Sequence, residues 1–382
     1  MTAISADVQS LSKPFLACFC AGALYGWSAL ASSLQARFDT STADVGLVFS
    51  LAIVSFTAAV LVAPHLGRWR TGHVILGTSA GVAAISVGLA AMAASFTWFL
   101  AFFSLGFAFA AGAIYSTVLR IGAATDRPWL ATPIMVAAFG LGGVAFSAGW
   151  TALVAQGWGI NALAVLAAAL ILVAIYCLAD RQGGGLMGKA AIGTGTTAPP
   201  RSRRMVSLLW GVFALGSFPG LLVLGLAGSI MEHTNAEIAW TGAVLAGVAA
   251  GNTVGRLAGA VTGAATPKMG LYISVTLSAF GLIVALTSAV PLWLGISLIV
   301  VALGYGLMAA TVPLATTYIF GVDRFQSAFG IIFTAWGLAG FIAPWLAGRL
   351  HDIFGSFAPG FALALVASLG TLPLIYLIGR AR

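Results

Sequence analysis

Apolar residues in this chain come in long unbroken runs rather than in strand-like alternation or a narrow helical stripe. Such runs lie near 14–36, 43–66, 73–95, 97–122, 129–155 and 159–179. They resume near 206–230, 237–265, 269–290, 292–319, 325–347 and 357–379. About 20 apolar residues in helical form cross the hydrocarbon core of a bilayer, so each run predicts one spanning helix, six before a break and six after it. The break holds Gly183-Gly184-Gly185, Pro199-Pro200 and Arg201-Ser202-Arg203-Arg204, a composition that predicts a flexible linker. The expected organisation is a six-helix bundle over 1–180, a linker over 181–205 and a second six-helix bundle over 206–382. The first run, starting near Pro14, is too long for the core of a cleavable signal and is expected to remain as the first span.

Composition agrees with this pattern. Hydrophobic residues make up 60% of the chain and charged residues 7%, and the mean hydropathy is +1.06. A soluble domain carries about 25% charged residues, which excludes a large water-soluble core. The net charge of +8 does not point to a nucleic-acid partner, because the cations sit in short clusters between apolar runs. With the N-terminus inside, Lys13, Arg68, Arg70, Arg120, Arg127, Arg181, Lys189, Arg201, Arg203, Arg204, Lys268, Arg324, Arg380 and Arg382 fall on the cytoplasmic side. Only Arg37 and Arg349 fall outside, and a 14-to-2 bias predicts that both termini are cytoplasmic. Cys18, Cys20 and Cys177 lie in apolar runs without metal-ligand spacing, which points to core residues and not to a disulfide or metal site.

The two halves echo each other. Asp126-Arg127 and Asp323-Arg324 stand 197 positions apart, as do Gly140-Leu141-Gly142-Gly143 and Gly337-Leu338-Ala339-Gly340. Leu105-Gly106-Phe107 is answered by Leu303-Gly304-Tyr305 at a spacing of 198. Duplication of a six-helix unit is the mark of secondary transporters that bind their solute between two halves.

One cation remains deep inside an apolar run: Arg256, in Gly251-Asn252-Thr253-Val254-Gly255-Arg256. A charge at membrane depth costs at least about 2.5–3.5 kcal/mol and marks a functional site unless it is satisfied structurally or snorkels to the interface. A guanidinium stays charged and grips a carboxylate with two parallel donors, so the expected ligand is a small organic anion. Asn252, one helical turn earlier on the same face, is placed to orient Arg256, to bind solute or to make an interhelical hydrogen bond. Tyr25 and Trp27 are two positions apart and cannot share a helix face; Tyr25 is the better candidate for the interior. Every Asp and Glu maps to a loop, a tail or a helix end, so no buried carboxylate offers a proton relay or a counter-ion for a cationic solute. His65, towards one helix end, is the remaining titratable candidate. No Walker loop, His-rich metal cluster or Ser/His/Asp constellation is present, so neither enzymatic activity nor a cofactor is expected.

Twelve spans, a basic central linker and duplicated halves resemble the major facilitator superfamily. Gly67-Arg68-Trp69-Arg70-Thr71-Gly72-His73 is similar to a degenerate form of that family's loop after the second helix, without its acidic residue. The counterpart from Gly259 to Lys268 is more degenerate still. Tyr25-Gly26-Trp27-Ser28, Asn252-x-x-Gly255-Arg256, Phe329 to Gly337 and Arg349 to Gly355 resemble stretches of the oxalate/formate antiporter and monocarboxylate transporter branch. The resemblance implies a carrier working by alternating access in a bacterial inner membrane as a monomer. It also implies that Arg256 binds a substrate carboxylate inside an aromatic enclosure, for which Tyr305, Phe333 and Trp336 are candidates. The oxalate transporter carries a Lys where this chain has Trp336, so a dianion would be half neutralised here and a monocarboxylate fits better. The expected partners are a small anionic solute, the lipid bilayer and, if movement is coupled, protons. Two rivals remain: an exporter of neutral or amphipathic compounds with a structural Arg256, and a transport-inactive membrane sensor.

Overall fold

A computed structural model describes residues 2–66, 71–123, 128–179, 202–234, 236–265, 267–288 and 290–380. The loop at Gly67–Arg70, the Asp126-Arg127 pair and nearly all of the expected linker lie outside the described residues, as do the side chains of His65, Asp323 and Arg324. Among the described residues, twelve helices are long and apolar enough to span a bilayer. They are α1 (Leu11–Phe38), α2 (Thr42–Val62), α3 (Gly72–Ala91), α4 (Phe96–Gly122), α5 (Ile134–Ala155) and α6 (Gly159–Leu178). The second set is α7 (Arg203–Glu232), α8 (Ile238–Gly259), α9 (Pro267–Thr287), α10 (Pro291–Phe320), α11 (Ala328–Phe354) and α12 (Ala358–Arg380). Each overlaps an expected run with ends that differ by at most seven residues, and no strand occurs among the described residues. The twelve spans fall into two sets of six, α1–α6 and α7–α12, packed side by side.

Local chemistry sets the helix ends. Ser95 caps α4 through the Trp98 amide, Ser202 caps α7, and Pro291 opens α10 where its missing N–H costs nothing. Asp39 and Gly355 close α1 and α11 in the left-handed conformation. Two helices depart from α geometry over eight or nine residues. Residues Gly22–Leu30 of α1 form a 3-10 stretch, and Leu100–Phe107 of α4 is π-helical. Runs of either kind are uncommon at this length and gather at functional hinges.

The duplication seen in sequence reappears as packing. Gly106 of α4 backs onto Ser86 of α3, and Gly304 of α10 backs onto Ser278 of α9. Between the halves, Gly140 of α5 meets the side chain of Thr253 in α8, and Gly337 of α11 meets Thr57 in α2. The glycines are 197 positions apart and the threonines 196, so one contact is the image of the other. Each Thr hydroxyl donates back to its own helix, to the carbonyls of Ile53 and Ala249 at 2.8 and 2.9 Å. At Gly140 a Cβ would overlap Thr253, so the close approach of α5 and α8 requires glycine there.

An even number of spans leaves both chain ends at one face. At the other face the halves are tied together. The Asp352 carboxylate at the end of α11 accepts from the Ala43 amide at the start of α2, at 3.0 Å. Glu232 of α7 is hydrogen-bonded to Ser32 of α1, and Gly228 packs on the carbonyl of Ser28. This closed seam runs inward to the level of Arg256.

Candidate functional site

Helix geometry puts Arg256 inside the protein and away from either end. The helix around it runs Ile238–Ala265, which sets Arg256 about 7 Å from the helix centre on the side of the chain ends. Its residue is 7% exposed and Asn252 is fully buried. One turn of α8 aligns the two, and Nε of Arg256 donates to Oδ1 of Asn252 at 3.0 Å. From the other half, Tyr25 presents its hydroxyl to Nη2 of Arg256 at 3.0 Å, and its ring lies 5.6 Å from the guanidinium carbon. Tyr115 of α4 is also hydrogen-bonded to Arg256. The cation is therefore held by neutral oxygens and a ring face, not left bare as the sequence alone implies.

A chain of hydroxyls leads on from it. Tyr25 and Tyr305 share a hydrogen bond at 3.1 Å, and Trp336 Nε1 donates to the Tyr305 hydroxyl. Phe333 stacks on Trp336 with centroids 5.0 Å apart and planes 27° apart. Phe56 bridges the halves by packing on Trp336 at 5.6 Å and on Tyr115 at 5.5 Å. Phe139 meets Tyr25 edge-on at 4.9 Å and Tyr115 at 5.5 Å. The result is one guanidinium set in an aromatic enclosure built from α1, α2, α4 and α5 on one side and α8, α10 and α11 on the other.

Six of the seven residues singled out from sequence meet here: Arg256, Asn252, Tyr25, Tyr305, Phe333 and Trp336. Trp27 does not. It packs at 5.9 and 5.4 Å on Phe99 and Phe103, next to the π-helical stretch of α4, inside the first bundle. Sequence reasoning passed over Tyr115, Phe56 and Phe139. Tyr115 carried a usable signal, a polar-tipped ring midway along an otherwise apolar run, whereas Phe56 and Phe139 look like any core phenylalanine.

Two features decide what the arrangement can do. Among the described residues, Asp39, Asp44, Glu232, Glu237 and Asp352 all stand at helix ends, so no described carboxylate neutralises Arg256. In addition, Nδ2 of Asn252 is buried without a hydrogen-bond partner. A buried unpaired amide donor costs about 1–3 kcal/mol, and here it belongs to the same side chain that fixes the guanidinium. No group of three or more His, Cys, Asp or Glu among the described residues could hold a metal ion.

No sequence family profile and no curated protein matches this chain. Solved structures do. A bacterial homolog of the human lysosomal transporter Spinster, inward-facing and unoccupied, superposes with a TM-score of 0.74 at 14% identity, covering 97% of both chains. The same homolog, inward-facing and occupied, gives 0.69 at 15% identity over 96% of each. A point mutant of the nucleoside transporter NupG gives 0.70 at 15% identity, over 97% of this chain and 99% of that one. At such identities the likeness shows the fold.

Proposed function

We propose that this chain is a secondary transporter for a small organic anion, a monocarboxylate. In this reading the bundles 1–180 and 206–382 rock about the enclosure described above, and Arg256 receives the carboxylate. The observation that carries the reading is the uncompensated charge. A guanidinium buried among helices keeps donors for an anion, and it faces only phenols and an amide whose second donor is unpaired. A carboxylate would neutralise it and take up that donor, a pairing of charge-assisted hydrogen bonds roughly twice as strong as those to neutral oxygen. One cation suits one carboxylate. The stacked faces of Phe333 and Trp336 suit an apolar remainder. The distribution of Lys and Arg supports cytoplasmic termini, and the compact loops and the family resemblance support a bacterial inner membrane.

The test is uptake by proteoliposomes of labelled formate, lactate, pyruvate and oxalate, with wild type and Arg256→Gln side by side. Wild-type uptake of a monocarboxylate, lowered about 100-fold or more by the substitution, supports the reading, since breaking such a buried pair costs about 3–5 kcal/mol. Undiminished uptake by Arg256→Gln would remove Arg256 from recognition. A second reading rests on the aromatic faces themselves. Rings stacked as Phe333 and Trp336 are also suit a neutral planar solute, with Arg256 structural, and this predicts transport of such a solute that survives Arg256→Gln.

A further inference from the structure

The Tyr25 hydroxyl sits where an anion would be expected. It reaches Arg256 from the opposite half, accepts from Nη2 at 3.0 Å, and lies 3.1 Å from the hydroxyl of Tyr305. Trp336 Nε1 donates to Tyr305, which leaves the Tyr305 proton free to turn towards Tyr25. Two donors of the second half then converge on a single oxygen supplied by the first half. A carboxylate oxygen would receive the same two donors, and its twin would find the unpartnered Nδ2 of Asn252.

We infer that Tyr25 is a stand-in for substrate. In the empty protein its hydroxyl takes the place of a carboxylate oxygen on Arg256 and so holds the halves together across the closed seam. This rests on the anion reading above and adds a consequence to it. A bare guanidinium in a closed apolar enclosure would forbid the empty carrier from reorienting and force strict exchange. With Tyr25 in place the guanidinium keeps a hydrogen bond where solute would bind, although its charge is not neutralised, so the cost of closing the empty carrier falls and net flux becomes possible. Because Tyr25 lies on a 3-10 stretch, unwinding or tightening of Gly22–Leu30 is the motion that would withdraw its hydroxyl when solute arrives.

Tyr25→Phe removes one oxygen atom and keeps the ring, so it tests this directly. Spin labels on Ala94→Cys and Thr287→Cys, both exposed at the face opposite the chain ends, report the separation of the halves in a background without the three native cysteines. The expected result is that ligand-free Tyr25→Phe shows a longer label distance than wild type, and that millimolar formate restores the shorter one. In proteoliposomes the same variant keeps pyruvate exchange while net uptake falls about tenfold relative to exchange, the effect of one charge-assisted hydrogen bond. Tyr305→Phe, which leaves the Arg256–Tyr25 bond intact, should shift both readouts less, and Trp27→Phe, on the same stretch but outside the cluster, should shift neither. An unchanged label distance in Tyr25→Phe overturns the inference while leaving Arg256-dependent uptake standing. Opening that no anion reverses makes Tyr25 a plain packing latch and also overturns it. If wild type moves no anion, the failure lies in the transport reading, and the absence of formate rescue then removes both.

Discussion

At the scale of single residues, the behaviour of this site turns on what Asn252 is not. An amide one turn from Arg256 fixes the guanidinium through Oδ1 yet leaves the charge available. A carboxylate in its place would form an internal ion pair at the same 3.0 Å geometry and compete with any anionic solute. Asn252→Asp should therefore lower monocarboxylate uptake at pH 7 by about tenfold or more while raising the thermal midpoint. Uptake and melting measured at pH 7 on one preparation check both. Uptake equal to wild type at pH 7 would mean that the solute does not need the charge. The polar core of the site was legible because Arg256 is the only cation deep inside an apolar run and Asn252 sits one turn from it. The apolar part was not, because twenty-four phenylalanines give no local cue to which of them face the seam.

At the scale of elements, the decisive piece is the 3-10 stretch Gly22–Leu30. Sequence gives two glycines and a Tyr-x-Trp pair there, and these read equally well as ordinary α-helix. The reason for the tighter winding lies in α5. A Cβ at Gly22 would strike the Phe139 backbone, so the backbones of α1 and α5 touch at this point. That contact aims Tyr25 inward at Arg256 and turns Trp27 onto Phe99 and Phe103. Gly22→Ala must push α1 and α5 apart, at a cost of about 1–3 kcal/mol typical of overpacking. The expected outcome is a lowered melting temperature together with a reduced apparent affinity, since Tyr25 and Phe139 move with their helices. A melting change without an affinity change would separate the stretch from the site. The π-helical stretch of α4 was hidden from sequence for a related reason: Leu100–Phe107 is apolar apart from Ser104, whose hydroxyl donates to the Val48 carbonyl of a neighbouring helix at 2.8 Å.

At the scale of the whole molecule, near-symmetry and its breakdown divide the work. The seam between the halves repeats: Gly140 on Thr253 answers Gly337 on Thr57, and Gly143 beside Ala249 answers Gly340 against Ile53. Glycines at both flanks bring the backbones of the two halves close together at equivalent points. The symmetry ends at the site. Asn252 corresponds to Phe56 and Arg256 to Val60 at the 196-residue offset, so the charge comes from the second half alone, whereas aromatic surface comes from both halves and the Tyr25 hydroxyl from the first. Duplication was thus readable in the repeated glycines, while the pairing of those glycines with threonines of the other half needed the three-dimensional arrangement. At the face away from the chain ends the seam depends on Gly228, which lies on the carbonyl of Ser28 with no room for a side chain. Gly228→Leu would wedge α1 from α7 there and leave the contacts nearer the chain ends untouched. The variant should rest open at that face, with Ala249→Cys, 1% exposed in this structure, becoming reactive to a membrane-impermeant thiol reagent added from that side. Binding should persist while turnover stops, because the seam that must close after each solute passes can no longer do so. An unreactive cysteine in the wedged variant would show that the halves part elsewhere, and that the closed face is held by Asp352 and Glu232 rather than by the α1–α7 contact.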